Sequence, residues 1–103
     1  MAIAKTPEPP YYAVIACTEL KDDTEGLDAL LLEVFEYAQQ QEGFLAIEYC
    51  EQPGFSMAVS YWKSEDAIKN WARHGNHMAA KKLGKERWFS AYITRIALVE
   101  RCY

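Results

Sequence analysis

The stretch FLAIEYCEQPGFSMAVSYWKSEDAIKNW, residues 44–71, decides the fold. Its first two runs, FLAIEYCE (44–51) and FSMAVSYW (55–62), carry the aromatic and β-branched residues that suit a pleated, half-buried surface. Only the turn signal QPG separates them, so the two runs are expected to fold back on each other as a β-hairpin. Ser64 then offers a hydroxyl to cap a helix, and Glu65 and Asp66 fall at that helix's positive end. Ala67, Ile68, Trp71 and Ala72 recur at helical spacing as its inward stripe. The segment therefore reads β-β-α.

Upstream, YYAVIACTEL (11–20) has strand composition and KDDTEG (21–26) breaks it. Leu27, Leu30, Leu31, Val34, Phe35 and Ala38 then repeat at helical spacing, with Asp28, Glu33, Glu36 and Gln39 on the other side. Leu31 and Val34 stand mid-stripe and are expected to be buried, and Gly43 suits the C-terminal cap. Downstream, Gly75 interrupts the second helix, and Asn76 can start a further turn carrying Met78, Ala79 and Leu83 to Gly84. WFSAYITRIALVER (88–101) reads as the last strand. Residues 1–10, with Pro7, Pro9 and Pro10, are expected to form an extended, mobile lead-in, and residues 11–103 a single domain. The order is β-α-β-β-α-β, an α+β ferredoxin-like arrangement with both helices on one face of an antiparallel sheet.

That face leaves the other uncovered, and the strands are apolar on both. In the first strand Tyr12, Val14 and Ala16 alternate with Tyr11, Ala13, Ile15 and Cys17. In the last, Tyr92, Ile96 and Leu98 alternate with Ile93, Ala97 and Val99. Half of the 103 residues are hydrophobic and 14% aromatic, so a second copy of the chain is expected to cover the free sheet face. A net charge of −4 excludes the basic footprint of a nucleic-acid binder. No run is long enough for a membrane span or a signal peptide. The three cysteines, Cys17, Cys50 and Cys102, show no CxxC spacing and read as reduced thiols. The expectation is a cytoplasmic homodimer.

The segment VSYWKSEDAIKNWARHGNHMAAKKLGKERWFSAYITRIALVER (59–101), together with the order of elements, resembles the antibiotic biosynthesis monooxygenase family. The resemblance runs from about Tyr11 to Arg101 and is sharpest in SYWKSEDAIKNW, HMAAKKLG and RWFSAY. It implies a dimeric α/β-barrel built from two ferredoxin-like sheets, with a pocket between helices and sheet in each subunit. For the family's oxygenases it implies chemistry without metal or flavin. The aromatic substrate, once deprotonated, supplies the electron that reacts with dioxygen. Other members degrade heme, and a member can also be a small-molecule binder with no reaction.

Such a pocket needs an apolar enclosure, a proton acceptor and a donor for the resulting anion. Trp71 matches the tryptophan that lines the pocket in the family. His74 follows it by three residues on nearly the same helical face, and His77 follows after the Gly75 break. An imidazole is the natural base near neutral pH. Asn70 can donate a hydrogen bond, Arg87 and Arg73 can stabilise an oxyanion, and Tyr49, Tyr61, Trp88 and Tyr92 can supply walls to a small aromatic ligand. Plainer readings stand beside each of these. Trp71 can be a core residue, His74 can satisfy a helix C-terminus, and His77 can face solvent. A metal site lacks a cysteine or paired carboxylate near the His-x-x-His to complete its ligand set. In the family's heme degraders the iron ligand is a histidine directly after an Ala-Ala pair. Here Lys81 follows Ala79-Ala80, and the first strand lacks the asparagine those enzymes place there. No cofactor is therefore expected, and heme degradation is the alternative.

Overall fold

The computed structural model describes residues 3–73 and 86–103. Strand β1 runs Tyr11–Leu20, helix α1 Leu27–Gln39, β2 Phe44–Gln52, β3 Phe55–Trp62, helix α2 Glu65–Ala72 and β4 Phe89–Val99. The strands form one antiparallel sheet in the order β2-β3-β1-β4. This is the ferredoxin-like β-α-β-β-α-β arrangement expected from the sequence.

Local chemistry accounts for the boundaries. Gln52 pairs with Phe55, so Pro53 and Gly54 alone make the β2–β3 turn, with Gly54 at φ 84°. Proline followed by a positive-φ glycine is the type II turn pattern. The Ser64 hydroxyl accepts the Ala67 N–H at 3.1 Å and opens α2. Helix α1 ends differently from the expectation. Gln40, not Gly43, is its C-cap residue, and the N–H groups of Gln40 and Gln41 reach back to the Tyr37 and Ala38 carbonyls. Gly43 serves the next strand instead. It sits at φ 86°, its carbonyl accepts the Lys63 N–H at 2.8 Å, and a Cβ there would lie 2.5 Å from the Ala67 Cβ. Both conformation and the close approach of α2 therefore demand glycine.

Both helices lie over one sheet face. Trp62, with no exposed surface, is the centre of a cluster with Val14, Ala38, Ala67 and Ile68, against which Tyr12, Phe44 and Trp71 pack. Burying an indole of this size is one of the larger apolar contributions a single side chain can make. Leu20, Leu27 and Trp88 form a second cluster, flanked by Leu30, Leu31 and Phe89. The register slips between Phe44 and Ala46, so Phe44 pairs with Trp62 and Ala46 with Tyr61. This bulge turns Phe44 onto the helix side, where its ring meets Trp62 edge-on at 5.4 Å.

The reverse face carries Tyr11, Tyr61, Glu48 and Met57 in its rows. The chain's lead-in reaches this face: the Ala4 N–H donates to Glu48 at 3.0 Å, and Thr6 Oγ1 lies 2.9 Å from the Tyr11 hydroxyl. Cys102 Sγ meets the same hydroxyl at 3.1 Å.

Candidate functional site

A cavity of about 240 Å³ lies between the helices and the sheet. Its floor comes from alternate residues of the strands: Val14, Ala16 and Thr18 of β1, Ser56, Ala58 and Ser60 of β3, and Ile47 and Tyr49 of β2. The α1 stripe supplies one wall, and Ile68, Trp71 and Ala72 of α2 the other. Tyr92, Thr94 and Ile96 of β4 extend the floor on the far side. A dry aliphatic cavity of roughly 150 Å³ is enough for benzene, so this one has room for a fused-ring aromatic.

The small side chains decide its shape. Ala16 pairs with Ala58 at the floor's centre, and alanines there leave the space that larger residues would fill. Trp71 stacks on Trp62 with ring centroids 4.9 Å apart and planes inclined by 30°. The Phe35 ring lies 5.3 Å from that of Tyr49 on the opposite side. A flat ligand would thus meet aromatic surface from both helices.

The lining is apolar with a few embedded hydroxyls. Thr18, Ser56 and Ser60 are the buried polar residues among those described, and all three line the cavity. Ser60 Oγ accepts the Trp62 Nε1–H at 2.8 Å. Tyr49 donates its hydroxyl proton to Glu51. Burial, and then this hydrogen bond, push the Tyr49 phenol well above its ordinary range, while a hydrogen bond from Ser56 works the other way. Among the described residues, no three His, Cys, Asp or Glu side chains gather where they could hold a metal ion.

The residues singled out in the sequence fall into four groups. Trp71, Tyr49 and Tyr92 come together on the cavity. Tyr61 and Trp88, expected as walls, do not join them. Tyr61 lies on the reverse face of the sheet, where its hydroxyl donates to Glu48 at 2.6 Å and its ring meets Tyr11 edge-on. Trp88 is buried beneath α1, packed on Leu20 and Leu27, and donates its Nε1–H to the Glu25 carbonyl. Asn70, Arg73 and Arg87 are exposed; the Arg87 guanidinium covers the Trp88 ring at 5.2 Å. His74 and His77, with Lys81 and the Ala79-Ala80 pair, lie outside the described residues.

Sequence reasoning passed over the hydroxyls of the floor. Their signal was present, because Ser56 and Ser60 alternate with Ala58 on the strand face that carries Trp62. Polar residues on an otherwise apolar face are the informative exception.

Comparison with known proteins follows the same lines. The family model described as antibiotic biosynthesis monooxygenase matches residues 10–83. The uncharacterized protein YqjZ of Bacillus subtilis (strain 168) is 41% identical over 100 residues, spanning 96% of this chain and 88% of YqjZ. Among solved structures, a point mutant of SnoaB, a cofactor-independent oxygenase from Streptomyces nogalater, superposes with a TM-score of 0.78 at 7% identity, covering 89% of this chain and 95% of SnoaB. Protein SO0527 from Shewanella oneidensis gives a TM-score of 0.79 at 13% identity, covering 94% and 97% of the two chains. At these identities the two structures are similar to this chain in fold.

Proposed function

The chain belongs to the antibiotic biosynthesis monooxygenase family, and from that premise we propose that it is a cofactor-independent monooxygenase acting on a small, electron-rich aromatic or quinol-type compound. One observation carries this reading: an apolar cavity between the helices and the sheet, walled by Trp71, Phe35 and Tyr49, whose polar lining among the described residues is a few hydroxyls. The similarity in fold to SnoaB supports it.

The residues would work as follows. Apolar walls strip water from the substrate and orient its ring, which raises the share of encounters that can react. Loss of the phenolic proton to a base leaves an electron-rich anion. Dioxygen takes one electron from that anion, and recombination of the two radicals forms the new C–O bond. Loss of water from the resulting hydroperoxide leaves a carbonyl, so the substrate is oxidised and one oxygen atom leaves as water. The proposed base is His74, with His77 as its partner, because His74 follows Trp71 by three residues in sequence. Ser60 holds a hydroxyl on the floor that can donate to an anion there.

Oxygen uptake with a panel of hydroxynaphthalenes, run with and without a metal chelator, tests the reading. Uptake unaffected by the chelator is expected, and His74→Ala should lower turnover about 10²–10⁴-fold. Full activity in both His74→Ala and His77→Ala removes the histidines from the mechanism. Tight binding with no uptake would make the protein a binder.

The assembly proposed with this function is a homodimer. Edge strand β4 leaves Ile93, Ile96 and Leu98 about half exposed, and these residues alternate between the two faces of the sheet. A second copy presenting the same strand satisfies both the edge and the apolar surface.

A further inference from the structure

The cavity floor carries hydroxyls at both ends and methyl groups between them. On the helix side of the sheet, β3 and β1 set three successive rows. The first joins Ser60 to Val14, the second Ala58 to Ala16, and the third Ser56 to Thr18. Ser60, Ser56 and Thr18 keep only 4%, 7% and 9% of their surface, and all three line the cavity.

A hydroxyl on an apolar floor costs free energy to bury unless it is hydrogen-bonded, a cost that alanine avoids. Alanine is what the middle row carries, so the floor tolerates it. Ser60 accepts the Trp62 Nε1–H at 2.8 Å, which leaves its own proton to give. Ser56 and Thr18 are cross-strand partners, so two hydroxyls stand on neighbouring strands at the far end. The middle row is different. Beyond Ala58 stands Tyr49, whose hydroxyl proton goes to Glu51, and beyond Ala16 stands Thr94 on the exposed edge strand. Helix α1 adds only apolar groups to the lining here, among them Leu30, Leu31 and Val34.

We propose that this site holds its ligand at two points, with Ser60 at one end and the Ser56–Thr18 pair at the other as its specificity-determining residues. The ligand class is a rod-shaped aromatic with a hydroxyl or carbonyl oxygen at each end. Four residues of strand put the two ends about 13 Å apart. Hydrogen bonds of about 2.8 Å that lean inward from each end leave about 10 Å between the ligand's oxygens. An oxygen placed over Ala16 and Ala58 meets methyl groups and loses the hydrogen bond it had in water. The inference rests on the cavity being the ligand site, as proposed above, and does not need the oxygenation step.

The test is calorimetric titration of the full chain with 4-hydroxybiphenyl, 4,4′-dihydroxybiphenyl and 3,3′-dihydroxybiphenyl. The para oxygens of the 4,4′-diol have the required spacing, whereas the meta oxygens of the 3,3′-diol are drawn sideways off the long axis. Wild-type protein should bind the 4,4′-diol about 3- to 10-fold more tightly than the single phenol, the usual net gain from one hydrogen bond. The 3,3′-diol should gain nothing over the single phenol. Ser60→Ala should reduce the preference for the 4,4′-diol to about twofold or less, because its second oxygen then has no partner. Ser56→Ala combined with Thr18→Val should do the same from the other end, and it leaves the Trp62 hydrogen bond in place. Each ratio is taken within one protein, so a general weakening by a substitution cancels. A wild type that binds all three probes alike overturns the proposal, as does an equal gain from both diols or a variant that keeps the wild-type preference. Binding of none of the three also removes it. Oxygen uptake on the same samples keeps the two readings apart. Two-point binding without uptake leaves this inference standing and removes the monooxygenase, and uptake without the preference does the reverse.

Discussion

Glu48 on β2 shows how much one side chain can depend on a partner across the sheet. It receives the Tyr61 hydroxyl at 2.6 Å and the Ala4 N–H at 3.0 Å on the reverse face. The Tyr61 bond first, and the Ala4 bond second, hold its carboxyl below the ordinary carboxylate range. A depressed folded-state value stabilises the fold above the unfolded value, about 4.3 for glutamate, and that contribution is lost as pH falls through the folded value. Tyr61 behaves in the opposite sense. Burial, and then Glu48, push its phenol upward, so its contribution is complete below about pH 10 and is lost in stronger alkali. Thermal melts between pH 7 and 3 should therefore show Glu48→Gln less stable than wild type at neutral pH, with the gap closing toward pH 3. A constant gap would mean that the pair contributes nothing through its charge. The position of Tyr61 was legible in principle: adjacent strand residues face opposite ways, so if Trp62 points at the helices, Tyr61 cannot. The aromatic character of Tyr61 suggested a pocket wall, and the period of the strand overruled it.

At the level of elements, local signals carried most of the reading. Strand composition, the Pro53-Gly54 turn and the Ser64 cap each act within a few residues, and β1, α1 and the β2–β3 hairpin lie where these signals place them. What depends on a distant partner was not legible. The Phe44 bulge breaks the alternation of β2 because the ring packs on Trp62, at the far end of the hairpin in sequence. Helix α1 makes the same point about depth. Its stripe correctly faces the sheet, yet Leu27 keeps only 1% of its surface, while Leu31, mid-stripe, is half-buried on the cavity. Spacing shows which side of a helix turns inward, and the shape of what lies opposite decides how far each residue is enclosed. Leu27→Ala should cost about 2–5 kcal/mol, as filled-core truncations do. Leu31→Ala, which enlarges a space that already exists, should cost less. Urea unfolding of the two variants checks the order, and equal losses would show that the cavity wall is as tightly filled as the core.

For the molecule as a whole, the open question posed by the structure is what covers β4. Eleven residues of edge strand, apolar on both sides and carrying Arg95 as their one charge, invite pairing with another chain. Sedimentation at micromolar concentration should give about twice 11.8 kDa. Ile93→Lys places a charge in that surface and should return the mass of one chain; a wild type that is already monomeric would refute the dimer. Composition alone pointed this way, since both faces of β1 and β4 read as apolar. The candidate site was less legible: among the described residues its distinguishing parts are two serines and two alanines, Ser56, Ser60, Ala16 and Ala58, whose shared face appears only when β1 and β3 lie side by side.

The Trp62–Trp71 stack also has an optical consequence. One indole belongs to the sheet and the other to α2, and at 4.9 Å their electronic transitions are close enough to couple. The protein should therefore show a paired positive and negative band in its far-ultraviolet circular dichroism, which Trp71→Phe abolishes without unfolding the chain. Because Trp71 also lines the cavity, that signal reports on the seating of α2 against the sheet and on anything that enters beside it. The chain thus carries its own label-free sensor, built from residues it already uses to fold.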